Sequence, residues 1–389
     1  MRAAIQSLPG SKIREVANAG LGRSDVLAFW FGESDEVTPE PIRQAAADAL
    51  MRGETFYSHN LGLPELRQAI ATYASGLHGP VDVDRIAVTS SGVTALMLAM
   101  QLLAGAGDEV VAVVPVWPNL TAQPVILGAH VTRVPLRPKN GLWQLDMDEL
   151  LARVTPRTRV LLVNAPNNPT GWTLTRAEQQ ALLAHCRRTG TWIVADEVYE
   201  RVYFGGTPAA PSFLDVATPD DRLIVAQSFS KSFLMTGWRL GWLVVPEQLT
   251  PVLERLAQNL FICASTVAQQ AALACFEPES LAEYERRRAE FKARRDYFIP
   301  ALNELGLTVP VAPDGAFYAW ADCTAVCQTL GIKDSWDFAF AALEHAHVAI
   351  TPGRDFGTDQ TARFVRFSTA NSMAELQIAI ARLKAWLQP

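Results

Sequence analysis

Short apolar runs near 86–89, 109–116, 130–135, 159–164, 191–196, 222–226 and 239–245 alternate with stretches of helical spacing such as Thr94 to Leu103 and Arg176 to Arg188. Strands joined through helices run parallel, so the alternation predicts an α/β fold, a largely parallel sheet with helices on its faces. A charged stretch of helical spacing, Leu281 to Leu305, leads out of that sheet. Beyond it, Gly315-Ala316-Phe317-Tyr318-Ala319-Trp320 and Val348-Ala349-Ile350-Thr351 read as strands of a smaller unit. A chain of 389 residues, 49% hydrophobic and 19% charged, buries a large core. At about 150 residues per domain it holds two or three domains. No internal repeat or low-complexity linker interrupts it.

The segment from Gln227 to Arg239 carries the chemistry. It sets Lys231 after Ser228 and Ser230, with Arg239 eight residues further on. A lysine amine attacks an aldehyde only when neutral, and its ordinary pKa is about 10.4, so a reactive lysine needs desolvation or neighbouring cations. Arg239 is such a cation. The two serine hydroxyls and the guanidinium also suit a phosphate dianion. A Schiff-base lysine beside a phosphate site fits pyridoxal phosphate.

Other segments fit the same cofactor. Ile193 to Tyr199 reads as a buried strand running into carboxylates, the strand end at which α/β proteins place ligands. A carboxylate at Asp196 keeps a pyridine nitrogen protonated and makes the ring an electron sink. The phenol of Tyr199 and the amide of Asn168, in the turn-rich Asn164-Ala165-Pro166-Asn167-Asn168-Pro169-Thr170-Gly171, are donors suited to the ring oxygen. Taken singly, each residue also has a plain role: a solvated lysine, a helix N-cap at Asp196, a turn at Asn168.

Together these motifs resemble the class I and II aminotransferases, fold-type I pyridoxal phosphate enzymes of the aspartate aminotransferase superfamily. Asn168 and Asp196 stand 28 positions apart (196 − 168), as in the family, and Ser228-Phe229-Ser230-Lys231 with Arg239 matches without a gap. By the same resemblance, Ser91, Gly92 and Val93 form a phosphate-cradling turn at a helix N-terminus. Trp117 stacks on the pyridine ring, although a tryptophan is as readily a core residue. Tyr57 reaches the phosphate of a neighbouring subunit, Arg366 grips the substrate α-carboxylate, and Gly32 lies along the substrate.

The resemblance implies a mainly parallel seven-stranded sheet with helices on both faces plus a smaller α+β domain. The large cofactor-binding domain then spans 46–285, and 1–45 with 286–389 form the small one. It also implies a homodimer in which Tyr57 completes the neighbouring site. The implied reaction moves the amino group of an L-amino acid to a 2-oxo acid by a ping-pong route through a Lys231 Schiff base. Lys231 then serves as general base and acid, with Asp196 and Tyr199 in support.

Composition narrows the alternatives. A net charge of −6 argues against a nucleic-acid surface, and Arg286-Arg287-Arg288 reads as a solvated helix face. Five cysteines, Cys186, Cys263, Cys275, Cys323 and Cys327, form no metal pattern and fit a reducing cytoplasm. The first ten residues hold too short an apolar run for a signal peptide, and no apolar stretch reaches membrane length, so a soluble protein is expected.

Two other readings compete. A carbon-sulfur β-lyase would use the same fold and cofactor. A transcription regulator with an aminotransferase-like sensor would need a DNA-binding domain, and only 31 residues precede Gly32. On the substrate side chain, aspartate-specific bacterial relatives carry a lysine at the position of Val93. Val93 therefore argues against strict dicarboxylate specificity, and Trp30 and Phe31 suit an apolar or aromatic group.

Overall fold

The computed structural model describes residues 1–388, the side chain of Ala3 excepted. Thirteen strands occur in the described residues: β1 (Leu27–Ala28), β2 (Ile86–Thr89), β3 (Glu109–Val114), β4 (His130–Lys139), β5 (Leu142–Leu145), β6 (Thr158–Asn164), β7 (Trp192–Asp196), β8 (Leu223–Ser228), β9 (Gly241–Val244), β10 (Tyr318–Asp322), β11 (Val348–Ala349), β12 (Thr351–Pro352) and β13 (Phe364–Ser368). The large sheet has the order β2-β9-β8-β7-β6-β3-β4-β5. Strands β8, β7, β6, β3 and β4 run parallel, and β9 lies antiparallel between β2 and β8.

The seven apolar runs supply seven of these strands, and an eighth, β5, adds a hairpin at the edge. Lys139 pairs with Leu142 across Asn140-Gly141. Both turn residues have positive φ, 54° and 74°, the backbone of a two-residue hairpin whose twist matches its strands.

Alternate residues of the central strands point to opposite faces. Leu161, Val163, Ile193, Ala195 and Val225 enter one core, while Val160, Leu162, Val194, Ile224 and Ala226 enter another. Each valine, leucine or isoleucine among them contributes about 1.5–3 kcal/mol by leaving water. A sheet buried on both faces is a stiff platform. Its strand ends therefore hold whatever they carry in fixed register.

A separate core lies around Phe298, Phe338, Phe367 and Leu376, and it takes in Val16 and Phe29 from the start of the chain. There β10, β13 and β12 form an antiparallel sheet, and β1 pairs with β11. The segment read as one strand over 348–351 divides between β11 and β12 at Ile350, and each half joins a different sheet. The strand expected over 315–320 begins only at Tyr318, because Ala316 turns the backbone at φ 57°. The charged helix runs from Pro278 to Glu304, and the helix near the start from Glu40 to Met51. Residues 45/46 and 285/286 fall inside these two helices. No helix among the described residues is long and apolar enough to cross a membrane.

Candidate active site

Three neighbouring strands end at one cavity: β6 at Asn164, β7 at Asp196 and β8 at Ser228. The cavity measures about 510 Å³ and is lined by Lys231, Asn168, Tyr199, Ser230, Arg239 and Arg366, along with Gly32, Gly92, Val93 and Trp117. It lies outside the carboxyl ends of the parallel strands, where doubly wound sheets bind ligands.

Ser228 caps the short helix Phe229–Ser232 by accepting from the Ser230 amide at 3.1 Å. That turn aims Lys231 inward, and its Nζ donates to the Gly32 carbonyl at 2.7 Å. Burial brings the Lys231 amine down to about 8; Glu33 opposes the shift, while Arg366 and Arg239 add to it. At pH 7 roughly a tenth of such an amine is free base.

Asp196 is buried at the end of β7, where its carboxylate accepts one long hydrogen bond, from the Val198 amide at 3.4 Å. Burial pushes it up to about 7, against the opposing pull of that amide and of Lys231. The turn after β6 is fixed by its own side chains: Asn164 Oδ1 accepts from the Asn168 amide at 2.8 Å, and Asn167 Oδ1 from Thr170 Oγ1 at 2.7 Å. Asn168 Oδ1 in turn accepts from Arg366 Nη1 at 2.9 Å.

Arg366 lies on β13 and is 3% exposed. Its Nη2 donates to Trp30 O at 2.6 Å, and its guanidinium rests 4.4 Å from the Tyr318 ring centroid. Its Nε has no partner. Burial lowers its pKa. Among the described residues no carboxylate forms an ion pair with it. A buried guanidinium held only by neutral acceptors is suited to an anion arriving from outside.

The opposite end of the cavity has the donors of an anion site. Gly92 opens the helix Gly92–Leu103, and a Cβ there would lie 2.9 Å from Ser228 Cβ. The missing side chain lets the helix N-terminus approach Ser228. Arg239, at φ 55°, donates to Thr236 O at 2.6 Å and stands 3.5 Å from Ser230 Oγ.

Ser91 does not line the cavity. Its Oγ accepts from the Thr94 amide at 3.2 Å and caps the helix, so its contribution is to fix the amides of Gly92 and Val93. Tyr57 also lies outside; it is 80% exposed beside the equally exposed Phe56. Among the residues that sequence reasoning passed over, Tyr318 and Glu33 also face the cavity. Tyr199 and Tyr318 share a hydrogen bond of 2.7 Å, and burial raises both phenols above their ordinary range, so each stays protonated. A Cβ on Gly32 would overlap the Tyr318 hydroxyl. The aromatic run 317–320 was legible as a strand, but not this approach across 286 residues (318 − 32).

A profile of the aminotransferase class I and II family matches residues 25–383, and the chain belongs to that family. It is an aminotransferase. Among similar proteins, the valine–pyruvate aminotransferase of Mycobacterium tuberculosis is 33% identical over 364 residues, covering 93% of this chain and 91% of its own. The aspartate aminotransferase of Musicola paradisiaca is 35% identical, covering 90% of this chain and 86% of its own. A crystal structure of an aminotransferase from Mycobacterium tuberculosis superposes with a TM-score of 0.91 at 32% identity, covering 100% of this chain and 98% of that one.

Proposed function

We propose that the cavity binds pyridoxal 5′-phosphate and that the protein moves the amino group of an L-amino acid to a 2-oxo acid in two successive half-reactions. One observation carries this reading: a single cavity holds a lysine amine brought down to about 8, a buried carboxylate with one weak donor, and a buried guanidinium without a carboxylate partner. Each is unfavourable alone. Each is matched by one part of the cofactor or the substrate.

The residues fit the cofactor part by part. The amides of Gly92 and Val93, the hydroxyls of Ser228 and Ser230 and the Arg239 guanidinium would hold the phosphate, with Ser91 supporting the turn and Tyr57 of a second copy completing it. Trp117 would cover the ring, Asp196 would face its nitrogen, and Asn168 and Tyr199 its oxygen. When bound, the cofactor supplies an electron sink for the bond broken at the substrate α-carbon. Lys231 would hold the aldehyde end of the cofactor, and its free amine would be the base that takes the proton from the substrate α-carbon. Arg366 fixes the α-carboxylate through a planar fork. The Gly32 backbone closes the side, where Tyr318 leaves no room for a side chain. Tyr199, kept protonated, donates rather than accepts.

An apolar or aromatic substrate side chain suits the wall formed by Trp30, Phe31 and Val93. A homodimer is supported by the adjacent Phe56 and Tyr57, two large aromatic side chains left 82% and 80% exposed in the single chain. The separate cores support division into a large domain, 46–285, and a small one, 1–45 with 286–389, joined through continuous helices. Five free cysteines support a reducing cytoplasm.

The test is a half-reaction. Enzyme loaded with pyridoxal phosphate and given an amino donor alone should release one 2-oxo acid per site and convert the cofactor to its amine form. Continuous release of ammonia would mark elimination instead and overturn the transferase reading of this site.

A further inference from the structure

Arg294 lies within the helix Pro278–Glu304, does not line the cavity and is 2% exposed. Its Nη1 donates to Asp35 Oδ1 and to Ala370 O, each at 2.8 Å, and its Nη2 to Asp35 Oδ2 at 3.0 Å and to the Glu290 carboxylate. The Asp35 amide donates to the same Ala370 carbonyl at 3.2 Å. Asp35 stands three residues after Gly32, and Ala370 four residues after Arg366. One guanidinium therefore fastens the loop that carries Gly32 to the segment that follows the strand carrying Arg366.

A second contact from the same helix reaches the same place. Phe291, one turn before Arg294, packs on Phe317 with centroids 5.4 Å apart. The next residue, Tyr318, abuts Gly32 with its hydroxyl and lies under Arg366 with its ring. None of these contacts involves Asp196 and Ser228, which end strands of the large sheet, or Ser230 and Arg239, which lie between β8 and β9.

We propose that Arg294 is a positioning residue: its bidentate pair with Asp35 sets the distance between the Gly32 backbone and Arg366, and so the grip on the substrate carboxylate. The inference rests on the reading of Arg366 as the carboxylate site. A planar fork is required, because one side chain must meet two carboxylate oxygens and a carbonyl together. Loss of Asp35 leaves Arg294 only Glu290 and the Ala370 carbonyl, and loss of Arg294 leaves the partly buried Asp35 carboxylate without its guanidinium; in either case the loop can part from the segment after the strand.

The experiment compares Arg294→Lys and Asp35→Asn with wild type, using the amino donor that wild type turns over fastest in a panel of protein amino acids and the best acceptor in a panel of 2-oxo acids that includes pyruvate. Cofactor affinity is measured separately, by quenching of apoprotein fluorescence with pyridoxal phosphate. The expected result is a KM raised about tenfold or more for every donor, with donor ranking kept and kcat changed by less than about threefold. Cofactor affinity should stay within about twofold. A purely structural role predicts the reverse: lower thermal stability and weaker cofactor binding in step, with normal KM in the loaded fraction.

If the single variants do not fold, Arg294→Met with Asp35→Leu replaces the pair by apolar groups of similar volume, an exchange that cores often tolerate. A normal KM in that folded double variant overturns the proposal. Arg366→Lys is the control. Impaired binding there with normal binding in the Arg294 variants overturns this proposal alone, whereas normal binding in Arg366→Lys overturns the carboxylate site and this proposal with it.

Discussion

Asp196→Asn should stabilise the apoprotein while it disables the enzyme. The carboxylate is buried, accepts one amide at 3.4 Å and titrates near 7 in the fold instead of at the ordinary 3.8. A group whose folded pKa is raised binds its proton more tightly folded than unfolded. Its stabilising contribution is therefore complete below 3.8 and falls away as pH rises to about 7. At neutral pH that displacement amounts to as much as about 4 kcal/mol, since one pH unit is 1.36 kcal/mol. The asparagine keeps the shape and the acceptor for the Val198 amide but never ionises. Urea unfolding of apoprotein should thus find Asp196→Asn equal to wild type near pH 4 and more stable by about 2–4 kcal/mol at pH 8. Saturating pyridoxal phosphate should narrow or reverse that order, because a protonated ring nitrogen compensates the carboxylate only in wild type. Turnover should drop by orders of magnitude. Equal stability of the two apoproteins at pH 4 and pH 8 would refute the reasoning, and near-normal turnover would mean that another group holds the ring.

Arg366→Ala should lower kcat/KM by at least about tenfold to a hundredfold for every donor, one or two charge-assisted hydrogen bonds being worth ~1.5–3 kcal/mol each; a defect confined to acidic donors would reassign Arg366 to the side chain. Lysine at that position should recover only part of the loss. The free-base form of Lys231, with its amine near 8, should make the activity of the unloaded lysine toward aldehydes rise with pH, with its midpoint near 8 and a plateau from about pH 9; titration with an aldehyde probe that shows an inflection near 10.4 would contradict the burial argument. Gly32→Ala should abolish binding of amino donors, since its Cβ overlaps the Tyr318 hydroxyl, and Tyr318→Phe should restore part of it; full activity in Gly32→Ala alone would show that the loop is free to move.

The strand platform and most of the site were legible because each rests on local pattern. Runs such as Val160 to Val163 are apolar on both faces of a strand, and their ends mark the cavity. Lys231, Asp196 and Asn168 stand at three adjacent strand ends, so their sequence spacing was already spatial information. The hairpin to β5 went unread, although Asn140-Gly141, a turn pair whose two residues take positive φ, carries its signal. What pattern could not reveal was contact between distant segments. The overlap of Tyr318 with Gly32 and the pair of Arg294 with Asp35, 259 positions apart, follow from packing of the second core. Ser91 shows a different limit. Its small hydroxyl stands at a helix start, yet only the fold reveals that the hydroxyl is spent on the Thr94 amide.

The central claim is that Lys231 carries the cofactor. Enzyme loaded with pyridoxal phosphate, reduced with borohydride and digested, should show the cofactor mass on the peptide containing Lys231 and on no other, and Lys231→Ala should take up none while unfolding at a similar temperature. Attachment at Lys12 or Lys292 instead, with Lys231 unmodified, would contradict the account.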